Sequence, residues 1–123
     1  MLRGPDRRLM VDQLPAVMTP DQLLVAQEAI GRVHVAEPLR DYILDLLQRS
    51  RVSHGGLSPR AGLALLRAAQ AWAWMTGREI AIPDDVQAVG LAVMGHRLGG
   101  WGDSSGQDGK AQAQRLLETV AVP

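Results

Sequence analysis

The stretch from Ala61 to Met75 limits the fold more than any other part of the chain. Read as a helix, it is apolar on nearly every face, with Arg67 and Gln70 as the exceptions. A helix of that kind belongs at the centre of a domain, with neighbours on several sides. Its limits are written locally. Ser58 suits the N-cap and Pro59 the first turn. Gly77 is a natural C-terminal stop.

Shorter amphipathic segments surround this centre. Thr19-Pro20-Asp21-Gln22 starts a helix, because Thr can cap, Pro suits the first position and Gln22 can close a capping box. Leu23, Ala26, Ile30 and Val33 follow at helical spacing until Gly31 weakens or ends the helix. Residues 37–51 form the next one, with an apolar stripe of Leu39, Tyr42, Ile43, Leu46 and Leu47. A loop is expected from Val52 to Leu57, by its glycine pair. Residues 78–82 read as short and extended. Pro83-Asp84-Asp85-Val86 opens a fourth helix, with acids where the dipole favours them and Val86, Val89, Val93 and Met94 as its buried stripe. That helix ends near His96-Arg97-Leu98.

The ends of the chain are less regular. Pro5 and Pro15 interrupt residues 1–18, so a connecting segment in extended form is expected, with Leu14 and Val17 docking on the core. Residues 99–109 are rich in Gly, Ser and Asp and read as a flexible linker. Residues 110–123 hold a last short helix and a tail, with Leu116, Leu117 and Val120 available to dock. The expected fold is all-α: a bundle of four main helices over 19–98 plus a short C-terminal helix. The absence of Phe and an aromatic content of 3% point the same way, since Ala, Leu and Val fill close-packed helices better than a β-sandwich.

Several function classes drop out. Thirteen basic and 13 acidic residues leave no net charge, whereas a domain that grips nucleic acid usually carries a basic excess. No apolar run approaches the roughly 20 residues needed to span a bilayer, and residues 1–8 lack the apolar stretch of a secretory signal. A cytoplasmic protein without membrane or nucleic-acid partners is the default. There is no cysteine, which removes thiolate chemistry and disulfides. No G-x-x-x-x-G-K-[ST] occurs, so this chain alone cannot build a P-loop ATPase site. His34, His54 and His96 fall in different segments without metal-ligand spacing, and no metal site is expected. Asp84 and Asp85 point about 100° apart on a helix, which suits capping better than paired acid–base work.

The sharpest feature is Gly55-Gly56-Leu57-Ser58-Pro59-Arg60. It sets a cation in the first turn of a helix, where the dipole disfavours it by about 0.3–1 kcal/mol. An anion at the same place would explain it, because free backbone N–H groups and a guanidinium can converge on a phosphate. The commoner explanation is a solvated Arg whose stem covers apolar surface. Trp72 and Trp74 lie two apart on the same helix and point to different faces. At least one is expected in the core, and the other at an interface.

Leu57-Ser58-Pro59-Arg60-Ala61 resembles the G-x-S-P-R-A motif that opens the sensor-2 helix of MoxR-type AAA+ ATPases. Gly77-Arg78-Glu79-Ile80, Pro83-Asp84-Asp85-Val86 and His96-Arg97-Leu98 resemble further signatures of that family, in order and spacing. Val33-His34-Val35 upstream and the tail from Leu116 to Pro123 also fit. Leu57 stands where a smaller residue is frequent, and the 99–109 linker is unusually rich in Gly.

This resemblance implies a helical lid domain whose nucleotide is held by a separate P-loop core. ATP and Mg²⁺ would bind the full-length protein, and this domain alone would hold neither and catalyse nothing. Arg60 would be the sensor-2 residue reaching the γ-phosphate, and Ser58 would cap and orient its helix. Arg51, Arg78 and Arg97 are candidate contacts to the core or to neighbouring subunits of a ring, often a hexamer; surface ion pairs worth about 0–1 kcal/mol are the ordinary alternative. The family also implies chaperone-like work on client proteins and von Willebrand factor A-domain partners. The rival readings are a stand-alone helical adaptor with an exposed apolar groove, and a DNA-binding module with Arg clustered on one helix.

Overall fold

The computed structural model describes residues 4, 6–52, 56–99 and 107–123 of the 123. Its elements run α1 (Arg7–Asp12), α2 (Pro20–Gly31), β1 (His34–Val35), α3 (Glu37–Ser50), α4 (Pro59–Met75), β2 (Ile80–Ala81), α5 (Pro83–Leu98) and α6 (Gln107–Thr119). The all-α expectation holds, with one small addition. β1 and β2 pair in parallel, with His34 opposite Ile80 and Val35 opposite Ala81. Short hydrogen bonds from His34 N–H to the Glu79 carbonyl (2.9 Å) and from Ala36 N–H to the Ala81 carbonyl (3.1 Å) close the pair.

The helix starts follow local chemistry. At α2 the Thr19 hydroxyl accepts from Gln22 N–H (3.2 Å), while Thr19 N–H donates to Gln22 Oε1 (2.8 Å). Both halves of the capping box are therefore present. At α4 the Ser58 hydroxyl accepts from Ala61 N–H at 3.2 Å, with Pro59 in the first position. The end of α4 is a Schellman turn: Arg78 N–H reaches the Ala73 carbonyl (2.9 Å) and Gly77 N–H the Trp74 carbonyl (3.0 Å). Gly77 takes φ +82°, the left-handed conformation that this turn requires.

The core is made by one side of α3, the inward side of α4, and α5 with α6. Leu39, Tyr42 and Leu46 of α3, Leu65, Ala69 and Ala73 of α4, and Val86 and Met94 of α5 are fully enclosed. Helix α6 seats Ala113, Leu116 and Leu117 on this core, with Val120 packed at its edge. It starts at Gln107, three residues earlier than the sequence pattern suggests, so the stretch read as linker contributes a first turn to the helix. The reason is packing. A Cβ on Gly109 would lie 1.8 Å from the Gly95 carbonyl oxygen, so a glycine read as flexible is the point where α6 crosses α5. The remainder of the expected linker, 100–106, lies outside the described residues, as do residues 53–55 of the expected loop.

Two expectations need correction. The segment before α2 is not extended throughout: Asp6 caps the six-residue α1 by accepting from Arg8 N–H at 3.0 Å. Leu14 and Val17 do not dock; both are exposed. The central helix α4 has α2, α3, α5 and β2 packed against it, as expected, and leaves one strip exposed. Arg60, Leu63, Arg67 and Trp74 recur along that strip, with the end of α2 beside Trp74.

Candidate functional site

The head of α4 is fixed from behind. Ser50, the last residue of α3, is buried at a position that continues the apolar stripe of that helix. Its hydroxyl donates to the Leu47 carbonyl (2.7 Å) and accepts from Leu57 N–H (2.8 Å). Leu57 itself is buried, so the residue that departs from the small type common at this place anchors the approach to α4. Along the adjoining crossing, a Cβ on Gly62 would lie 2.8 Å from Leu47 Cδ1, which sets how closely α3 and α4 approach.

What this scaffold presents is Arg60. Pro59 has no N–H, Ala61 N–H is taken by the Ser58 hydroxyl, and Gly62 N–H by the Ser58 carbonyl at 3.2 Å. The Arg60 amide is left without a partner among the described residues. The exposed Arg60 guanidinium likewise has no hydrogen bond or ion pair among them. An oxyanion arriving at this turn meets one backbone donor, one forked cation and the positive end of a helix of 17 residues.

The other arginines divide. Arg78 is held by acceptors of its own domain, with its side chain 37% exposed. Its Nη1 donates to Asp85 Oδ2 (3.0 Å) and the Ile80 carbonyl (3.3 Å), and its Nη2 to Thr76 Oγ1 (3.1 Å) and, very closely, Asp85 Oδ1. Asp85 is 1% exposed and also accepts from Ile82 N–H at 2.8 Å. One carboxylate thus caps α5 and holds the guanidinium that closes α4 and β2. The hydrogen bond to Asp85 raises the Arg78 pKa further above its usual value. Arg97 donates to the Val93 carbonyl (2.6 Å) in the last turn of α5, where a cation is favoured. Arg51 is exposed at the C-cap of α3. Among the described residues no hydrogen bond or ion pair joins these three to Arg60.

Two tie points escaped the sequence reading. Gln70 Nε2 donates to the Val33 carbonyl (2.8 Å), fastening α4 to the residue just before β1. Gln87 Nε2 donates to the Tyr42 hydroxyl and to the Leu117 carbonyl (3.3 Å), joining α3, α5 and α6. Burial raises the Tyr42 pKa, against the smaller lowering effect of Gln87. Trp72 and Trp74 are 42% and 39% exposed, so neither is a core residue. An all-round apolar helix needs cover on every side, and the described chain supplies it on only part of the circumference.

Among the described residues no group of three or more His, Asp or Glu converges as a metal site, and no helix is long and apolar enough to cross a membrane. Comparison with known proteins decides the family. The AAA lid domain family matches residues 48–120, which include α4, β2, α5 and α6. The chain belongs to the AAA lid domain family. Its curated relatives are distant members of the MoxR group. MoxR of Paracoccus denitrificans is 38% identical over 81 residues, covering 53% of this chain and 24% of that protein. Chaperone MoxR1 of Mycobacterium tuberculosis is 30% identical over 125 residues, covering 90% of this chain and 33% of that protein. The uncharacterised YeaC of Bacillus subtilis is 27% identical over 118 residues, covering 92% and 37%. The lid chain therefore spans about a quarter to two-fifths of these relatives. A crystal structure of a candidate ATPase from Cytophaga hutchinsonii shares the fold, with a TM-score of 0.72 and 21% identity over 95% of this chain and 41% of that one.

Proposed function

We propose that this lid senses the nucleotide of a MoxR-type AAA+ ATPase, with Arg60 reaching the terminal phosphoryl group of ATP held by a P-loop core domain. The observation that carries the reading is the open pair of donors on Arg60, amide and guanidinium, at a helix head pinned by Ser58 and Ser50. Such a donor set fits an oxyanion and offers nothing to Mg²⁺, which the core domain would hold. ATP supplies the charged leaving arrangement and its γ-phosphoryl group. Arg60 contributes a forked, permanently charged contact to that group. Ser58 keeps the helix, and so the guanidinium, at a fixed angle. A lid that gains this contact with a triphosphate and loses it with a diphosphate changes its preferred angle through the cycle.

In this reading the parent protein is a ring-forming, cytoplasmic, chaperone-like ATPase, often hexameric, that remodels or matures clients alongside von Willebrand factor A-domain proteins. Arg51 and Arg97 remain available for contacts to the core or to a neighbouring subunit. The DNA-binding alternative wants arginines on one helix, and here they are spread over α3, α4, the turn before β2, and α5. In the parent ATPase, Arg60→Ala should lower turnover roughly 100-fold, the usual cost of one donor to a developing oxyanion. The helical circular dichroism should stay unchanged, because Arg60 supports nothing inside the domain. Wild-type turnover in that variant would refute the sensor role.

A further inference from the structure

Burial changes abruptly at the end of α2. Residues 6–25 are all exposed, and α2 buries only Ala26, with Ala29 and Ile30 half-buried. Beyond it the chain turns inward: Val33, Val35 and Leu39 all belong to the core. The element that α2 chiefly packs against is α4. Even that contact is incomplete at its end, where Ala29 and Arg32 on one side and Trp74 and Glu79 on the other line an open cleft.

The backbone divides at the same place. Arg32 N–H and Val33 N–H make turn bonds to the Ala29 and Ile30 carbonyls, both at 3.1 Å. Past this turn the chain is tied to distant segments. The Val33 carbonyl accepts from the buried Gln70 side chain (2.8 Å), His34 N–H donates to the Glu79 carbonyl (2.9 Å) and Ala36 N–H to the Ala81 carbonyl (3.1 Å). Before the turn stands Gly31, the last residue of α2. A Cβ there would meet nothing within 4 Å, and its φ is not positive. Neither packing nor backbone geometry calls for glycine at this point. Its effect is to weaken the end of the helix, by about 2- to 5-fold relative to alanine.

We infer that residues 6–31 form an arm hinged between Gly31 and Arg32, which undocks from α4 as a unit while the chain from Val33 onward stays with the bundle. Gln70 sets the hinge at that point, because losing its bond would strand the buried Val33 carbonyl. A helix of 12 residues has little stability of its own in water, so undocking unwinds α2. The opening uncovers Ala26, Ala29 and Ile30 and leaves Leu39, Leu46, Leu65 and Met94 packed, so it needs far less free energy than global unfolding. Such a hinge lets α3–α6 change angle relative to the segment before α2. The inference goes beyond the sensor reading and uses neither Arg60 nor nucleotide, so its failure leaves that reading standing.

Residue-resolved hydrogen exchange of the full chain tests it. The amides of residues 24–30 should exchange together, roughly 100-fold or more faster than the slowest amides of α3 and α5, yet roughly 10-fold or more slower than free peptide. The His34 and Ala36 amides should stay protected with α3 and α5. Gly31→Ala, at an exposed position, should slow exchange of residues 24–30 by about 2- to 5-fold and leave α3 and α5 unchanged. Gln70→Met, close in volume, should speed the His34 and Ala36 amides roughly 10-fold, toward the rates of the arm. The inference is overturned if α2 is as protected as α3 and α5, if it exchanges like free peptide, or if Gly31→Ala shifts all three helices alike or none. It is equally overturned if His34 and Ala36 exchange with α2 in the wild type, or keep wild-type protection in Gln70→Met.

Discussion

Replacing Ser50 by Ala removes one oxygen that serves two helices. In the native domain that oxygen accepts from Leu57 N–H at 2.8 Å, and its proton goes to the Leu47 carbonyl at 2.7 Å. Ser50 and Leu57 are both buried, at 2% and 3% exposure, so water cannot take over the lost contacts without opening the turn. A buried donor left unsatisfied costs about 1–3 kcal/mol. The Leu47 carbonyl loses a neutral bond worth about 0.5–1.5 kcal/mol. Removing the desolvated hydroxyl itself returns part of this, so about 2 kcal/mol is the expected net loss. For 123 residues the unfolding entropy near 60 °C is about 0.26 kcal/mol/K. The midpoint of thermal unfolding should therefore fall by about 8 °C. Calorimetry measures that shift, and hydrogen exchange reads the Leu57 amide directly: protected in the wild type, fast in the variant. A midpoint lowered by less than about 2 °C, or a Leu57 amide that already exchanges freely in the wild type, would refute the claim that this hydroxyl holds the approach to α4.

Three further outcomes follow from the same contacts. Asp85→Ala strips the cap from Ile82 N–H and the partner from Arg78, and should cost about 2–4 kcal/mol in urea unfolding; a loss below 1 kcal/mol would mean that this bridge is ornamental. Gly109→Ala forces a methyl against the Gly95 carbonyl oxygen and should destabilise by about 1–3 kcal/mol, with α6 losing exchange protection first; a stabilised variant would contradict the tight crossing. Tyr42 is the only tyrosine, so absorbance near 295 nm reports its ionisation alone. Its pKa is raised from 10.0 by burial, so the native state keeps a proton that the unfolded chain has lost. Stability should be flat below pH 10 for this group and fall as pH climbs from there through the native pKa; titration at or below the free phenol value would remove that dependence.

Much of the fold was legible because helix boundaries are local chemistry. Thr19-Pro20, Ser58-Pro59 and Gly77 each name their own cap, and the stripe from Leu39 to Leu47 names its own buried face. What could not be read this way joins distant segments. The pairing of His34 with Ile80 has no signature in either dipeptide. Two polar anchors did carry a signal. Ser50 continues the α3 stripe one turn past Leu46 and Leu47, and Gln70 interrupts an apolar run. A polar residue at a buried register position promises a specific partner, because an unpaired one would be too costly. The partner's identity, the Leu57 amide or the Val33 carbonyl, appears only in three dimensions. The tryptophans went the other way. Helical periodicity marks what must be covered, and it does not say whether the cover comes from the same chain.

The arginines make the strongest argument about the candidate site, because one residue type appears in three energetic settings. Arg78 sits against a buried carboxylate and two further acceptors, where its charge answers that of Asp85. Arg97 lies in the last turn of α5, where the dipole welcomes it and the Val93 carbonyl receives it. Arg60 has neither benefit. It stands where the same dipole opposes it, beside an N–H that nothing in the described chain accepts from. The surroundings are ordered, since Ser50, Leu57 and Ser58 all serve to hold that turn in place. A rigid mount for an electrostatically misplaced cation makes physical sense when an anion from outside the domain completes the turn. Under the proposed function that is the state in which the penalty on Arg60 becomes an attraction, and in which the lid and a bound nucleotide would become one mechanical unit.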